Sequence, residues 1–265
     1  MNQLITVEER NGATLVGLND PEHLNAFSVT LLEELHAVVM QQAAKADACR
    51  FVFHGHGKAF SSGAHMPDYF KTLDEVRNHR ARRFYDSERK LIELVRVLRR
   101  PTTFSVAAVH GWTVGIGVEL AVACDFIVAA PDTRFWLPET SVGWNAGMGM
   151  TNRLTRAVGG GWARRLMLLG EKIDAAKAEQ IGLVTRIVEN GPVVDGAIDV
   201  LRVIAGQSPL AVQYEKLLLD MLPNVSDEQA MEMEIITGYW LAHTNDVHEA
   251  AHAFVEQRKP NFTGE

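Results

Sequence analysis

Cysteine is scarce in this 265-residue chain: there are two, Cys49 and Cys124, in no paired spacing. That excludes a disulfide framework or a cysteine-built metal cluster and predicts a reducing, cytoplasmic home. Basic charge is also in deficit, with 26 Lys and Arg against 33 Asp and Glu and a net charge of −7. A general nucleic-acid partner is therefore not expected, because neutralising phosphates needs a basic surface. No apolar run approaches the roughly eighteen residues that a membrane span requires, so no membrane partner is expected. Met1-Asn2-Gln3-Leu4 lacks a basic region followed by an apolar stretch, and no signal peptide is predicted. Hydrophobic residues make up 47% and charged residues 22%, the balance of a soluble globular enzyme with a sizeable core.

The pattern along the chain alternates strands and helices, which predicts an α/β architecture. Asn11-Gly12 between Ile5–Val7 and Ala13–Leu18 is a two-residue hairpin signal. Ser28 reads as the N-cap of a helix over 29–46, with Leu31, Leu32, Leu35, Val38 and Val39 at helical spacing. Strands are expected at 51–53, 103–109, 126–130, 135–136 and 182–188. Helices are expected at 74–99, with a solvated arginine-rich face, and at 118–123, 163–169, 175–181 and 194–206. Three more should follow over 210–222, 227–243 and 246–258. No repeat with a fixed residue signature is visible.

Two stretches carry chemistry. Gly111, Gly115 and Gly117 lead into an apolar helical run, Val118–Ala123, so that backbone approaches a ligand closely and N–H groups stand free at a helix start. Two carboxylates follow: Glu119, flanked by Val118, Leu120, Ala121 and Val122, and Glu139, beside Pro138 in a loop. Burial of Glu119 would raise its pKa. Two carboxyl groups near an oxyanion site suit acid/base work on an activated carbonyl compound. A rival pattern, His248-Glu249-Ala250-Ala251-His252, matches the zinc-protease pentapeptide, but no Gly-x-x-His follows to supply a third ligand, and no metal site is expected. His54-x-His56 is read as a strand end, and Trp112, Trp136 and Trp144 as packing residues, the last two with scope to line an acyl pocket.

The order of these residues resembles the enoyl-CoA hydratase/isomerase family, the crotonases. The likeness rests on the glycine-rich turn ending in Glu119-Leu120, on Pro138-Glu139, on the run Gly143–Gly149 and on Arg153–Gly159, and it extends from about Ile5 to Phe262. It implies a crotonase-like ββα spiral core over 1–205 and a C-terminal helical oligomerisation region over 206–265, assembling as a homotrimer or homohexamer. By resemblance, Gly57–Met66 is the first oxyanion loop, so the N–H groups of Ala64 and Ile116 would hold a thioester oxygen. Glu119 and Glu139 would move protons, and the Gly147 N–H would help place a water. Leu24, Ala26, Ala64, His65 and Met66 would meet coenzyme A, which arrives as part of an acyl-CoA substrate and not as a separate cofactor. Lys58, Lys71 or a residue of the tail would meet its phosphates, since Glu22 and His23 are poor substitutes for the family's basic residues there. Two departures stand out: His65 where the family has Asp or Asn, and Ile116 where it has Gly. A β-branched residue does not adopt positive φ comfortably. The implied activity is syn hydration of a 2-enoyl-CoA, with 3-enoyl-CoA isomerisation or another crotonase-type lyase or hydrolase reaction as alternatives. A catalytically silent binding protein is the reading outside enzymology.

Overall fold

The computed structural model describes residues 3–45, 48–78, 82–221 and 224–265, with the Arg83 side chain left aside. It divides into two compact units, one of residues 1–99 and 103–199, the other of residues 100–102 and 200–265.

The first unit opens with the hairpin of β1 (Ile5–Arg10) and β2 (Ala13–Leu18), turned at Asn11 and Gly12, both at positive φ. Helix α1 (Val29–Ala43) starts where Ser28 accepts the Leu31 N–H at 3.1 Å, and it buries Leu31, Leu32, Leu35 and Val39. It ends three residues short of the predicted 46. Three strand–strand–helix passages follow: β3 (Cys49–Gly55), β4 (Ala59–Ser61) and α2 (Met66–Arg77) with α3 (Arg82–Leu98); β5 (Thr103–Val109), β6 (Trp112–Val114) and α4 (Ile116–Ala123); β7 (Phe126–Ala129), β8 (Arg134–Trp136) and α5 (Met150–Leu168). This is a repeat of geometry without a repeat of residues, so it left no trace in the composition. Short β9 (Ile173–Asp174), α6 (Ala175–Gln180) and β10 (Arg186–Ile187) close the unit, and α7 (Val193–Ala205) crosses its boundary.

The strands form two sheets, ordered β1-β2-β3-β5-β7-β10 and β4-β6-β8-β9. In the larger one β5 lies between parallel neighbours, and all seven of its residues are buried. Covered on both faces, it is mostly apolar, with Thr103 and Ser105 its buried polar residues. In the smaller sheet β4, β6 and β8 run parallel, and each ends on a segment of the cavity described below.

Several expected boundaries differ. The helix predicted over 74–99 is two helices, α2 and α3, with residues 79–81 outside the described set. Helix α5 begins at Met150, thirteen residues before the predicted start. Gly159, at φ 74° and ψ 159°, is non-helical and kinks α5 into two helical parts, and the predicted 163–169 falls in the second. The strand expected over 182–188 contracts to β10, because the N–H groups of Leu183 and Val184 turn back to the Ala178 carbonyl.

The second unit holds α8 (Pro209–Met221), α9 (Asp227–Leu241) and α10 (Asn245–Val255). Its last residues are tied to buried Asp246, which accepts the Ser208 hydroxyl at 2.8 Å and the Thr263 N–H at 2.8 Å. Among the described residues, no helix is long and apolar enough to cross a membrane.

Candidate active site

Parallel strands deliver their C-terminal ends to one edge of a sheet, and that edge is where ligand sites form in α/β proteins. Here β4 runs into Gly63-Ala64, β6 into Gly115-Ile116, and β8 into Pro138-Glu139. All six residues line one cavity of about 560 Å³ within the first unit. That volume is within the usual range for a small-ligand site.

Ala64 lies in a short ladder with the segment before α1. Phe27 donates its N–H to the Gly63 carbonyl at 2.8 Å, and His65 donates to the Phe27 carbonyl at 3.1 Å. The Ala64 N–H between these two bonds has no partner among the described residues. Ile116 is the first residue of α4, where a helix leaves its N–H groups unsatisfied. Positive φ falls on Gly115, at φ 50° and ψ −120°, and not on its neighbour. Isoleucine is therefore accommodated where glycine was expected, and its side chain lines the cavity.

Glu119, in the first turn of α4, is 6% exposed. Burial pushes its pKa up to about 7; the Gly147 N–H bond opposes the shift, and the charges of Glu139 and Glu88 add to it. Glu139, half-buried at the start of a 3₁₀ turn over Glu139–Val142, is also shifted upward by burial. One of its oxygens lies 2.9 Å from where a Cβ on Gly115 would stand, so it packs directly over the turn that presents Ile116.

The expectation for Gly147 requires correction. Its N–H donates to Glu119 Oε1 at 2.9 Å, so its one hydrogen positions the carboxylate and is not held open for a water. Met148, held at φ 50°, follows directly.

Of the residues expected to meet coenzyme A, Ala64, His65 and Met66 line the cavity, whereas Leu24 and Ala26 do not. Leu24 is 38% exposed and Ala26 is buried. Both belong to a loop fastened to the oxyanion segment: Ser62 donates to the Leu24 carbonyl at 2.9 Å, and the fully buried Asn25 side chain donates to the carbonyls of His56 and Ala59. On the same loop Asp20 holds His23 at 2.9 Å and raises its pKa, first through that hydrogen bond and then through its charge. Lys58 and Lys71 are both exposed.

Trp136 and Trp144 line the cavity and Trp112 does not. Trp144 meets Tyr69 and Phe84 edge-on, with ring centres 5.5 and 5.9 Å apart. Tyr69 and Glu88 went unnoticed in the sequence, and Phe84 was expected only to be available for burial. The signal for Glu88 was its spacing with Phe84 and Leu91 on one face of α3, among charges that read as surface.

In the second unit, Glu249 of the zinc-like pentapeptide accepts both terminal nitrogens of Arg258, at 2.6 and 2.9 Å, and the Asn261 N–H at 2.7 Å. Those bonds, the Arg258 side chain foremost, hold its pKa down to about 2. Among the described residues no group of three or more His, Cys, Asp or Glu side chains is arranged to hold a metal.

Unpaired N–H groups at two loop ends, with buried Glu119 and half-buried Glu139 beside them, share one cavity on an α/β scaffold. The comparisons with known proteins give the family. The model of the enoyl-CoA hydratase/isomerase family matches residues 8–265, and the chain belongs to that family. It is similar to the 2,3-dehydroadipyl-CoA hydratase of Escherichia coli, at 32% identity over the whole of both chains. It is also 32% identical to the mitochondrial enoyl-CoA hydratase of Pongo abelii, covering 98% of this chain and 88% of that one. Among solved structures, the enoyl-CoA hydratase of Bacillus anthracis superposes with a TM-score of 0.87 at 30% identity, covering 99% of this chain and 100% of that one. The family implies an acyl-CoA substrate.

Proposed function

We propose that this protein is an enoyl-CoA hydratase that adds water in syn fashion to a 2-enoyl-CoA. The observation that carries this reading is the meeting, in one cavity, of the unpaired Ala64 and Ile116 N–H groups with Glu119 and Glu139. The two N–H groups would receive the thioester oxygen as negative charge develops on it during attack at the β-carbon. Glu139, packed over Gly115, is beside the oxyanion end and so next to the α-carbon, to which it delivers a proton. Glu119, more buried than Glu139 and steadied by Gly147, takes the proton of the attacking water. A base with a pKa near the working pH is well suited to that task. The reaction forms a C–O bond at the β-carbon and a C–H bond at the α-carbon at the expense of the double bond, with two proton transfers, and calls for no metal or cofactor beyond the coenzyme A of the substrate.

Loss of enoyl absorbance with crotonyl-CoA tests the proposal. Glu119→Gln and Glu139→Gln should each lower turnover by about 10²- to 10⁴-fold. Near-native hydration by the double variant would refute the two-glutamate mechanism, and failure of the wild type to hydrate crotonyl-CoA would refute the activity. The second reading, isomerisation of a 3-enoyl-CoA, is favoured by one observation: the Gly147 N–H expected to hold a water is occupied by Glu119. Under that reading a 3-enoyl-CoA is consumed without net hydration, and only one of the two glutamates is needed.

A further inference from the structure

Helix α3 carries a third carboxylate into the cavity. Several of its other charges pair elsewhere: Lys90 with Glu33 at 2.7 Å, Glu93 with His36 at 2.6 Å, and Arg82 with Asp86 at 3.6 Å. Glu88 alone among these turns inward, with Phe84, Ser87 and Leu91. It is half-buried, and it has neither a hydrogen bond nor an ion pair with any described residue. A carboxylate taken partly out of water without a partner is costly, and polar groups so placed usually have one.

Its position tells which part of a substrate it faces. The point where a Cβ on Gly147 would stand lies 3.2 Å from Glu119 Oε2 and 3.8 Å from Glu88 Oε2. Glu139, by contrast, lies against Gly115 at the oxyanion end. Glu88 and Glu119 are thus neighbours at Gly147, and since the hydratase reading puts Glu119 at the β-carbon, it puts Glu88 at the acyl group next to that carbon. Among the described residues lining the cavity there is no Lys or Arg, while Asp68, Glu88, Glu119 and Glu139 are all acidic.

Building on the hydratase reading above, we propose that Glu88 is a specificity-determining residue. It accepts a hydrogen bond from a donor, such as a hydroxyl, carried on the acyl group beyond the β-carbon, and it excludes acyl groups that end in a carboxylate. The donor supplies the partner that Glu88 lacks in the free protein. A carboxylate tail would place like charges together in a half-buried site with no cation to offset them.

The test is hydration of 2-enoyl-CoA thioesters of equal length ending in methyl, hydroxyl or carboxylate, by the wild type, Glu88→Gln and Glu88→Leu, read as ratios of kcat/KM within each protein. In the wild type the hydroxyl ester should exceed the methyl ester by about tenfold or more, as a hydrogen bond to a charged group would give. The carboxylate ester should fall below the methyl ester by at least about tenfold. Glu88→Leu should bring the hydroxyl-to-methyl ratio down to about one. Glu88→Gln, whose amide oxygen still accepts, should keep the hydroxyl preference and lose most of the discrimination against carboxylate. Hydroxyl-to-methyl ratios that are the same in all three proteins, or a wild type that prefers the carboxylate ester to the methyl ester, would overturn the role of Glu88 while leaving the hydratase reading intact. Failure of the wild type to hydrate any of the three would overturn both.

Discussion

Glu119 is a carboxylic acid that the fold takes almost out of water, and its titration should be visible in two ways. For catalysis, kcat/KM for hydration should rise with pH through a limb near 7 as the base ionises, and Glu119→Gln should abolish that limb. A profile flat from pH 6 to 8 would contradict the role. For stability, the folded pKa of about 7 stands above the unfolded value of 4.5, so the native state holds its proton more tightly than the unfolded chain. That contribution, about 3 kcal/mol at most, is fully present below pH 4.5, declines as pH rises and is gone above 7. The neutral variant Glu119→Gln has no such dependence. Its stability relative to wild type should therefore improve between pH 5 and pH 8, measured by denaturant unfolding at the two values. No change in the difference would show that Glu119 titrates normally.

At the scale of the element, the turn from β6 into α4 does two jobs at once, and substitutions separate them. Gly115→Ala places a methyl group where φ is 50° and within 2.9 Å of a Glu139 oxygen, so Glu139 must move. Turnover should fall at least about tenfold, as for a misplaced catalytic group, and the variant should lose stability to the strained φ. Ile116→Pro keeps the helix start, since proline fits the first helical position, but it deletes the proposed oxyanion donor. About 10²- to 10³-fold should be lost from kcat, with the melting temperature close to wild type. An Ile116→Pro enzyme with unchanged kcat would remove that N–H from the mechanism.

At the scale of the whole molecule, the second unit displays apolar surface on a scale a solitary chain seldom tolerates. Ile235, Ile236, Tyr239 and Trp240 on α9 are 55–66% exposed, Phe254 and Val255 on α10 are at least 80% exposed, and α9 has no buried residue at all. A patch of this kind marks an association surface. We propose that copies of the chain cover it in a trimer or a pair of stacked trimers. Light scattering should then give about three or six times the 29.3 kDa of one chain. A mass near that of one chain at micromolar concentration would defeat the proposal.

Local chemistry wrote much of this protein into its sequence. The Asn11-Gly12 turn, the Ser28 cap, the β5 strand and the burial of Glu119 among Val118, Leu120 and Ala121 each follow from neighbours in the chain, so each was legible there. The tertiary structure decided what depends on distant residues meeting. Gly147 N–H was assigned to a water because nothing in the sequence shows that Glu119, 28 positions away, reaches it first. The strand–strand–helix passages were expected only through the family resemblance and not from residue patterning, because backbone geometry repeats there while side chains do not. Glu88 looked like one more surface charge on a helix rich in them. Only the tertiary fold, which sets α3 along the cavity with Phe84 against Trp144, turns that face inward, and no pattern within 82–98 specifies that neighbour.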